Sequence, residues 1–338
     1  MPRCLVTGVS GFVGRNLCCT LIRESWQVRG LIRRAEQGES LREAGGEAAL
    51  GALADADSLD SALAGVDVVF HVAGRTAAFC EDEFRQDNVE GTRSVAAACA
   101  RQSSPPKLVV VSSLAAGGPA PPDSPRTEIL PATPISAYGR SKLDAEIAAR
   151  EFAGQVNISV VRPPVIFGPG DRASLAMYRQ MKFLPMHLSP GWSPLPISIV
   201  YVHDLCDALL RIALGGDRLA AHPADAEQAG AGVYYVAGAR NIDYAEMGKL
   251  AATAAGWAIA VIPVPLPIFW TLGTVGETIG RLRRRPVVLN RDKVREAAAC
   301  GWVCDDAKLR RQLAYRPAAP LETQFEETVA WYRRERWI

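Results

Sequence analysis

The stretch CLVTGVSGFVGRNL, which begins at Cys4, constrains the fold of this chain more than any other segment. It places Gly8, Gly11 and Gly14 at three-residue intervals after an apolar run and at the start of a helical pattern. Glycine weakens helices and strands alike, so three at fixed offsets predict a backbone path that a Cβ would block. Strand, glycine turn and helix in this order predict a dinucleotide-binding loop, with the pyrophosphate at the helix N-terminus.

Each glycine of this loop has its own predicted role. Gly8 allows a tight turn, Gly11 lets the backbone approach a pyrophosphate, and Gly14 lets helix and strand pack closely. The other loop residues that we expect at the cofactor are Ser10, Phe12 and Val13. The alternative is a glycine-rich turn without a ligand.

Short β-rich runs alternate with helical segments in the first half of the chain. This alternation predicts an α/β fold: a Rossmann-type doubly wound parallel sheet, with a smaller, discontinuous C-terminal substrate domain. We expect strands at Cys4–Thr7, Val28–Ile32, Val66–Val72, Leu108–Val111 and Ile158–Arg162. We expect helices at Gly14–Ser25, Asp57–Ala64, Asp87–Gln102 and Ala137–Phe152.

The rhythm of the sequence changes after residue 168, where prolines and glycines accumulate. We expect residues 1–168 to form an NADP-binding Rossmann domain, with segments near 195–215 and 232–242 returning to it. Residues 169–338 are then mainly the substrate-binding part.

Charge and cysteine content exclude several classes of function. The 38 Lys and Arg residues against 36 Asp and Glu leave a net charge of +2, which is too balanced for a dedicated nucleic-acid binder. The eight cysteines contain no CxxC pair, so we expect buried thiols in a reducing compartment and no metal. A two-ligand site at Cys300 and Cys304 on one helix face is the weaker alternative. No basic segment followed by an apolar run opens the chain, and we expect a cytoplasmic protein.

The end of the second predicted strand indicates which dinucleotide binds. An NAD site usually carries Asp or Glu there, whereas QVRGLIRR ends in Arg33 and Arg34. A guanidinium pairs with a 2′-phosphate through charge-assisted hydrogen bonds. The sequence therefore favours NADP, with NAD as the second choice; the alternative leaves both arginines as solvated surface charges.

The segment SAYGRSKLDAE places Tyr138 and Lys142 four residues apart, on one face of a predicted helix. A phenol has a pKa of about 10, and it must fall by about 3 units for proton exchange at neutral pH. A neighbouring ammonium and an oxidised nicotinamide favour that change. Upstream, the buried strand LVVVSS ends in Ser112 and Ser113.

The order of these motifs resembles the extended short-chain dehydrogenase/reductase family, closest to its 3β-hydroxysteroid dehydrogenase and dihydroflavonol reductase branches. The resemblance covers nearly the whole chain and rests on TGVSGFVG, FHVAG, the double serine, YGRSK, RPPVIFGPGD, YVHDL and LAYRP. It implies that Ser113, rather than its neighbour Ser112, orients the substrate carbonyl. Tyr138 is then the general acid/base, and Lys142 holds the nicotinamide ribose and lowers the pKa of Tyr138.

The resemblance also implies cofactor contacts outside the glycine loop. These are Leu53, Val72, Ala73, Gly74, Pro163 and Val165. The family often has an Asp that contacts the adenine amino group, but Ala52 stands at that position. Asn88 is carried over as a residue near the cofactor or one that ties the active-site helix. His71 lies inside a strand, and we interpret it as a core residue.

Two local features help to choose among the chemistries of the family: the first argues against dehydration, and the second favours an apolar substrate. Dehydratases of this family carry acids at the serine position, where this chain has Ser113, Leu114 and Ala115. Sugar-nucleotide enzymes commonly hold the substrate diphosphate with an Asn, and Val165 occupies the aligned position. We therefore expect hydride transfer to or from a carbonyl or secondary alcohol of a sterol-, lipid- or aromatic-like substrate. The alternatives are a nucleotide-sugar epimerase and a non-catalytic dinucleotide-sensing regulator.

Residues 250–276 contain no charged side chain, but three central prolines would break a spanning helix. We expect a strand, an extended turn and a helix that starts near Pro267. In one interpretation this segment is a buried part of the small domain. In the other, residues 267–285 contact an anionic membrane surface through RLRRR. The second interpretation also builds an apolar wall over the substrate from Ile268, Phe269, Trp270 and Leu272.

Two further expectations concern helices. His203 and Asp204 are predicted to anchor a helix that returns to the sheet, with Asp204 as its N-cap. The family resemblance implies a homodimer that forms through the long helices around 87–102 and 137–152.

Overall fold

Strands and helices alternate through the first half of the computed structural model, which describes residues 1–283 and 291–338. The strands are β1 Arg3–Thr7, β2 Gln27–Ile32, β3 Glu47–Leu50, β4 Val68–His71, β5 Lys107–Val111, β6 Ile158–Arg162, β7 Val165–Phe167, β8 Met186–Pro190, β9 Pro196–Ile197, β10 Ile199–Tyr201, β11 Val233–Tyr235, β12 Ile242–Asp243 and β13 Ala260–Val264. The helices of the first half are α1 Phe12–Arg23, α2 Glu39–Glu43, α3 Ala56–Leu63, α4 Glu81–Phe84, α5 Gly91–Arg101, α6 Leu114–Gly117 and α7 Ala137–Arg150. Those of the second half are α8 Arg172–Phe183, α9 Val202–Gly215, α10 Ala226–Gly230, α11 Tyr244–Ala255, α12 Leu266–Arg283, α13 Arg291–Ala297, α14 Ala307–Leu313 and α15 Leu321–Arg334.

Seven parallel strands form the central sheet in the order β3-β2-β1-β4-β5-β6-β11. In its register Cys4 lies opposite Val28 on one side and Val68 on the other. The strand order reverses between β1 and β4, so a crevice opens at their carboxyl ends, where ligands bind in such folds. The predicted Rossmann-type sheet is confirmed.

Both faces of this sheet are covered by helices, as the continuously apolar strands require. One core cluster joins the sheet to α1 and α9 through buried side chains such as Leu17 and Leu209. The opposite cluster joins it to α3, α5 and α7, with Leu59 and Val95 at full or nearly full burial. The helices thereby fix the ends of β1, β4 and β5 relative to one another.

The helix predicted at 87–102 is longer and less regular than the sequence indicates. Residues 81–84 and 91–101 are α-helical, and the intervening Arg85–Glu90 forms a π-helical turn. Such turns often occur at functional sites, because they redirect side chains that a regular helix would place elsewhere. Asn88 lies in this turn and is buried.

The second half of the chain contributes both to the central sheet and to a separate core. Strand β11 pairs with β6, and α9 packs against β5 and β6. Small two-stranded sheets join β10 to β7, β9 to β12 and β8 to β13. A third cluster packs α8, α11 and α15 together around large aromatic side chains, including Tyr178, Phe325 and Tyr332.

The predicted N-cap at Asp204 is wrong, because α9 begins two residues earlier with Tyr201 at its N-cap position. The Asp204 carboxylate instead accepts hydrogen bonds from the Ala318 backbone N–H at 2.9 Å and from Gln324 Nε2 at 2.6 Å. It therefore ties α9 to the last helix, a long-range contact that a local capping rule does not predict.

The shared helix face proposed for Cys300 and Cys304 is also wrong, because α13 ends at Ala297. Cys300 is exposed, whereas Cys304 is buried. Among residues 1–283 and 291–338, no group of three or more His, Cys, Asp or Glu side chains is arranged to hold a metal ion.

The uncharged stretch 250–276 begins in the last residues of α11 and then folds as the prolines predict, into strand β13, a short turn and helix α12. Within the described part of the chain, none of the helices has the length and apolar character needed to cross a membrane. Its first residues are buried as one interpretation predicts, since Ala251, Ala252 and Ala255 belong to the third cluster, whereas Ile268 and Trp270 of α12 expose 49% and 37% of their surface. Of the predicted basic run, Arg284 and Arg285 lie outside the described residues.

Candidate active site

The glycine loop leaves β1 in a conformation that only glycine adopts easily. Gly8 has a φ of +76°, and a Cβ there would lie 2.8 Å from the backbone of Ala73. A Cβ on Gly14 would overlap the carbonyl of Gly8. The loop is therefore packed directly against the end of β4, and the first turn of α1 is packed against the loop.

The N-terminus of α1 opens toward the crevice. Gly11 is its N-cap residue, and no side chain caps the helix. The first backbone N–H groups of a helix have no partner within the helix, and together with the helix dipole they favour an anion. A glycine cradle that a Cβ would fill, next to an uncapped helix, fits a bound pyrophosphate.

A single cavity of about 1110 Å³ extends from this loop to the C-terminal half of the chain. Among the predicted cofactor and catalytic residues, all but Arg34 line it: Gly8, Ser10, Gly11, Phe12, Val13, Gly14, Arg33, Leu53, Val72, Ala73, Gly74, Ser113, Tyr138, Lys142, Pro163 and Val165. Ala52, which stands where the family often has Asp, lines it as well. The volume exceeds that of an ordinary small-ligand pocket, as a site for a cofactor plus a substrate requires.

The two arginines after β2 differ in position. The side-chain oxygen of Gln37 accepts hydrogen bonds from the backbone N–H groups of Arg33 at 3.0 Å and Arg34 at 3.2 Å, which holds the turn. Arg33 and Gln37 line the cavity, and Arg34 does not. No Asp or Glu within residues 33–50, the segment that follows β2, lines the cavity.

Ser113 and Tyr138 meet at the carboxyl end of β5. Ser113 is the N-cap of α6, where its Oγ accepts a hydrogen bond from the Ala115 N–H at 3.1 Å. Tyr138 is the second residue of α7, whose N-cap Ser136 accepts from the Gly139 N–H at 3.1 Å. Both side chains line the cavity, and Ser113 lowers the pKa of the Tyr138 phenol. Two helix caps thus position the two hydroxyl groups.

The phenol of Tyr138 holds its proton firmly in this structure. Its pKa is raised to about 12, mainly by burial. The interaction with Ser113 opposes this shift, and the charge of Glu296 adds to it. Lys142, which the sequence predicts to lower this pKa, is not among the groups that act on the phenol here. At neutral pH Tyr138 is protonated, which is the form that donates to a carbonyl.

Lys142 is anchored one helical turn below Tyr138. Its Nζ is buried and donates a hydrogen bond to the Val111 carbonyl at 2.8 Å. Burial lowers the pKa of Lys142 to about 8, and the carboxylate of Glu146 opposes that shift. The ammonium is therefore fixed at the end of β5, beside Gly74, where a Cβ would come within 3.4 Å of Nζ.

Asn88 connects the π-helical turn to the active-site helix. Its Nδ2 donates to Ser141 Oγ at 2.9 Å and to the Arg75 carbonyl at 3.1 Å, while its Oδ1 accepts from the Arg75 N–H at 2.7 Å. Asn88 itself is not among the side chains that line the cavity. Of its two predicted roles, the structure supports the tie to α7.

His71 is a buried core residue, as its place in the strand predicts. Its ring nitrogens lie 2.8 Å from Thr7 Oγ1 and 3.1 Å from Thr92 Oγ1. Burial, reinforced by the charge of Lys142, lowers the pKa of His71 to about 3. The imidazole is therefore neutral, and both of its nitrogens have hydrogen-bond partners. It is not a candidate base.

A buried charged network below Ser113 was not predicted from the sequence. Arg162 and Glu146 form an ion pair at 2.6 Å with 7% and 6% of their side chains exposed. Ser112 Oγ donates to Glu146 Oε1, and Arg162 Nη1 donates to the Tyr235 hydroxyl at 3.0 Å. The spacing of Glu146, four residues after Lys142, would have placed it on the same helix face.

The C-terminal half of the chain also lines the cavity, through Gly170, Asp171, Arg172, Ala173, Ile197, Lys293, Glu296, Trp302 and Trp337. The apolar wall predicted from Ile268, Phe269 and Trp270 is not found, since none of these residues lines the cavity. The side chain of Leu272 lies outside the described residues. No motif marks α13, because a substrate wall contributed by distant segments leaves no regular pattern in the sequence.

Comparisons with known proteins agree with this geometry. The model of the NAD dependent epimerase/dehydratase family matches residues 4–221. A 4-hydroxy-2-methyl-3-oxo-4-farnesyl-3,4-dihydroquinoline-1-oxide ketoreductase of Stigmatella aurantiaca is 34% identical over 177 residues, 51% of this chain and 53% of the relative. The chain thus spans about half the length of that relative. A ceramide reductase of Caulobacter vibrioides (strain NA1000 / CB15N) is 28% identical over 335 residues, 98% of this chain and 95% of the relative.

A solved structure shares the whole fold. The dTDP-glucose 4,6-dehydratase of Bacillus anthracis str. Ames, crystallised in complex with NAD, superposes with a TM-score of 0.76. It is 18% identical, and the match covers 100% of this chain and 98% of that one. At this identity the likeness concerns the architecture alone.

Proposed function

The chain belongs to the NAD dependent epimerase/dehydratase family, and we propose that within this family it is an NADP(H)-dependent oxidoreductase that reduces the ketone of an apolar, lipid-like substrate. The observation that carries the proposal is that Ser113, the N-cap of α6, and Tyr138, in the first turn of α7, line the same cavity as the glycine cradle. A nicotinamide bound in this cavity supplies the hydride.

Ser113, Tyr138 and Lys142 then bind the ketone and supply the proton. Ser113 Oγ and the Tyr138 hydroxyl hold the ketone oxygen, and the Tyr138 O–H donates its proton to that oxygen as the carbonyl carbon is reduced. The raised pKa of Tyr138 keeps this proton in place until the oxygen becomes basic. Lys142, fixed on the Val111 carbonyl, presents a cation to the same cavity. Activity is expected to fall as the pH rises through the pKa of Tyr138, because the acid form is lost.

Preference for NADP rests on Arg33, which lines the cavity after β2. Replacement by Ala is expected to weaken NADPH binding at least tenfold and to leave NADH binding within about twofold, because charge-assisted hydrogen bonds to a phosphate contribute about 1.5–3 kcal/mol. Fluorescence titration of wild type and Arg33→Ala with both cofactors measures this. Arg34→Ala is the matched control, since Arg34 does not line the cavity. Equal NADPH and NADH affinity in wild type would refute the preference.

Two features support a lipid-like ketone. One relative that matches nearly the full length of the chain is named a ceramide reductase, and a second relative is named a ketoreductase of a farnesylated ring. In addition, Val165 lines the cavity and is apolar where sugar-nucleotide enzymes commonly have Asn. A screen of long-chain ketones with NADPH tests the class. Turnover of a nucleotide sugar without net cofactor oxidation would favour the epimerase instead.

Contact with a membrane stays part of the proposal, with a revised surface. An apolar ridge of exposed side chains runs along the β8–β13 sheet: Phe183 at 81% exposure, Leu184 at 55%, Leu188 at 42%, Trp192 at 76% and Ile262 at 40%. Leu188 and Ile262 are register partners, and Gly191 at the end of β8 packs near Leu266 of α12. Four of the five side chains fall within residues 183–192, and large exposed apolar patches often mark an interaction surface. Lipid headgroups and acyl chains fit such a ridge, because Trp and Phe favour the membrane interface.

Vesicle sedimentation tests the apolar ridge. We expect Phe183→Ser/Trp192→Ser to reduce binding to vesicles of phosphatidylglycerol and phosphatidylcholine at least fivefold, because two aromatic anchors are lost. The double variant should keep NADPH affinity, as neither residue lines the cavity. Leu214→Ser, an exposed leucine on α9, is the control. Unchanged vesicle binding in the double variant, or none in wild type, would exclude the ridge as a membrane surface.

The homodimer through the helices around 87–102 and 137–152 also remains a proposal. Ile147 on α7 supports it, because this apolar side chain is 53% exposed on the expected interface. Analytical ultracentrifugation of wild type and Ile147→Asp tests it, and a monomeric wild type would refute it.

A further inference from the structure

Helix α13 contributes Lys293 and Glu296 to the wall of the cavity. Its Asp292 accepts a hydrogen bond from the backbone N–H of Ala137, the first residue of α7, at 2.7 Å. Val294 is fully buried, and Trp302 Nε1 donates to the carbonyl of Glu296 at 2.8 Å. These contacts fix α13 directly to the helix that carries Tyr138. The side chain of Glu296 is therefore held in a defined place.

Of the two carboxylate oxygens of Glu296, one has a hydrogen-bond partner in the described part of the chain and the other has none. Its Oε2 pairs with Lys293 Nζ at 2.7 Å, whereas Oε1 is buried and has no hydrogen-bond partner in the described part of the chain. Only 15% of the side chain is exposed, although Glu296 lines the cavity. Buried polar atoms in native proteins almost always have a partner, so an exception calls for an explanation. One explanation is that a molecule bound in the cavity supplies the missing hydrogen-bond donor.

The position of Glu296 limits what that molecule is. The hydrogen bond between Asp292 and Ala137 places α13 next to the first turn of α7, and Glu296 and Tyr138 both line the cavity. Glu296 belongs to the C-terminal wall of the cavity, together with Trp302, and not to the glycine-loop end. The missing donor thus belongs to the substrate, near the carbonyl that Tyr138 protonates.

We propose that Glu296 Oε1 accepts a hydrogen bond from a hydroxyl or amide N–H that the substrate carries next to its reacting ketone. Glu296 is then a positioning and specificity residue, and the preferred substrates are ketones with such a donor rather than plain ketones. This inference rests on the ketone-reductase function proposed above. A site built to hydrogen-bond a substrate donor can reject an analogue without it by factors of 10⁴ or more.

Three long-chain ketones separate the two kinds of donor. The parent is a 2-acylamino-1-hydroxy-3-ketone, and its analogues carry an O-methyl ether or an N-methyl amide in place of one donor. We expect kcat/KM of wild type with NADPH to fall at least 100-fold for one analogue, which identifies the donor. In Glu296→Ala the parent and that analogue should differ by less than tenfold. Glu296→Gln, which keeps an acceptor oxygen, should restore part of the discrimination.

Controls separate this inference from the proposed function. Glu326→Ala removes an exposed acid of α15 outside the cavity and should keep the wild-type ratio. NADPH titration checks that each variant is folded. If Glu296→Ala keeps the wild-type ratio, or if wild type accepts both analogues as well as the parent, the role of Glu296 is refuted while the reductase stands. If wild type reduces none of the ketones with NADPH, the proposed function itself fails, and the inference fails with it.

Discussion

Replacing Tyr138 by Phe is expected to lower kcat for ketone reduction by about 10²–10⁴-fold, the usual contribution of a positioned general acid. The substitution removes one hydroxyl and keeps the ring, which packs against Phe84 at a centroid distance of 6.0 Å. NADPH affinity should therefore change by less than about threefold. Steady-state kinetics and fluorescence titration of the same preparation measure the two quantities.

A second tyrosine provides the matched control for this substitution. Tyr178 is also buried and loses the same hydroxyl in Tyr178→Phe, but it lies in the C-terminal core and does not line the cavity. Its hydroxyl has no hydrogen-bond partner in the described structure, so kcat should stay within about twofold. Full activity of Tyr138→Phe would exclude the assigned acid. Cofactor binding without any turnover by wild type would favour the dinucleotide-sensing regulator.

The parts of this site that could be predicted from the sequence depend on local rules. Gly8 and Gly14 are required by contacts within a few residues of the loop or at the end of a neighbouring strand, so their spacing alone indicates the turn. Tyr138 and Lys142 share a helix face because of the helical period. The five predicted strands match β1, β2, β4, β5 and β6 closely, since strands buried on both faces are continuously apolar.

The parts that could not be predicted depend on partners far along the chain. Strand β3 is exposed or half-buried along its length and β11 has three residues, so neither carries a strong pattern. Asp204 looks like a helix cap and instead bonds residues more than 110 positions away. The position of helix α13, which carries Glu296, depends on the contact between Asp292 and Ala137, 155 residues apart. Such contacts are decided by tertiary packing and leave no periodic signal.

The largest expected loss of stability comes from Arg162→Met. This substitution leaves the carboxylate of Glu146 buried and without its cation, at a site where the two side chains are 7% and 6% exposed. Removing one partner of a buried ion pair typically lowers the free energy of unfolding by about 3–5 kcal/mol, because the remaining charge is uncompensated. We expect that decrease in the free energy of unfolding, measured by urea denaturation at pH 7. The exposed pair of Arg101 and Asp60 gives the contrast, and Arg101→Met should cost less than about 1 kcal/mol.

Removing both charges of the buried pair distinguishes this cause from a loss of packing. Glu146→Met/Arg162→Met has no uncompensated charge, and we expect it to recover most of the lost stability, as hydrophobic replacements of buried ion pairs often do. Its activity should nevertheless stay low. Ser112, next to Ser113, loses its acceptor, and the pKa of Lys142 falls further once the Glu146 charge is gone. If the double variant is as unstable as Arg162→Met, packing and not charge explains the loss. If its activity returns together with its stability, the network serves the fold and has no separate role in positioning Ser113 and Lys142.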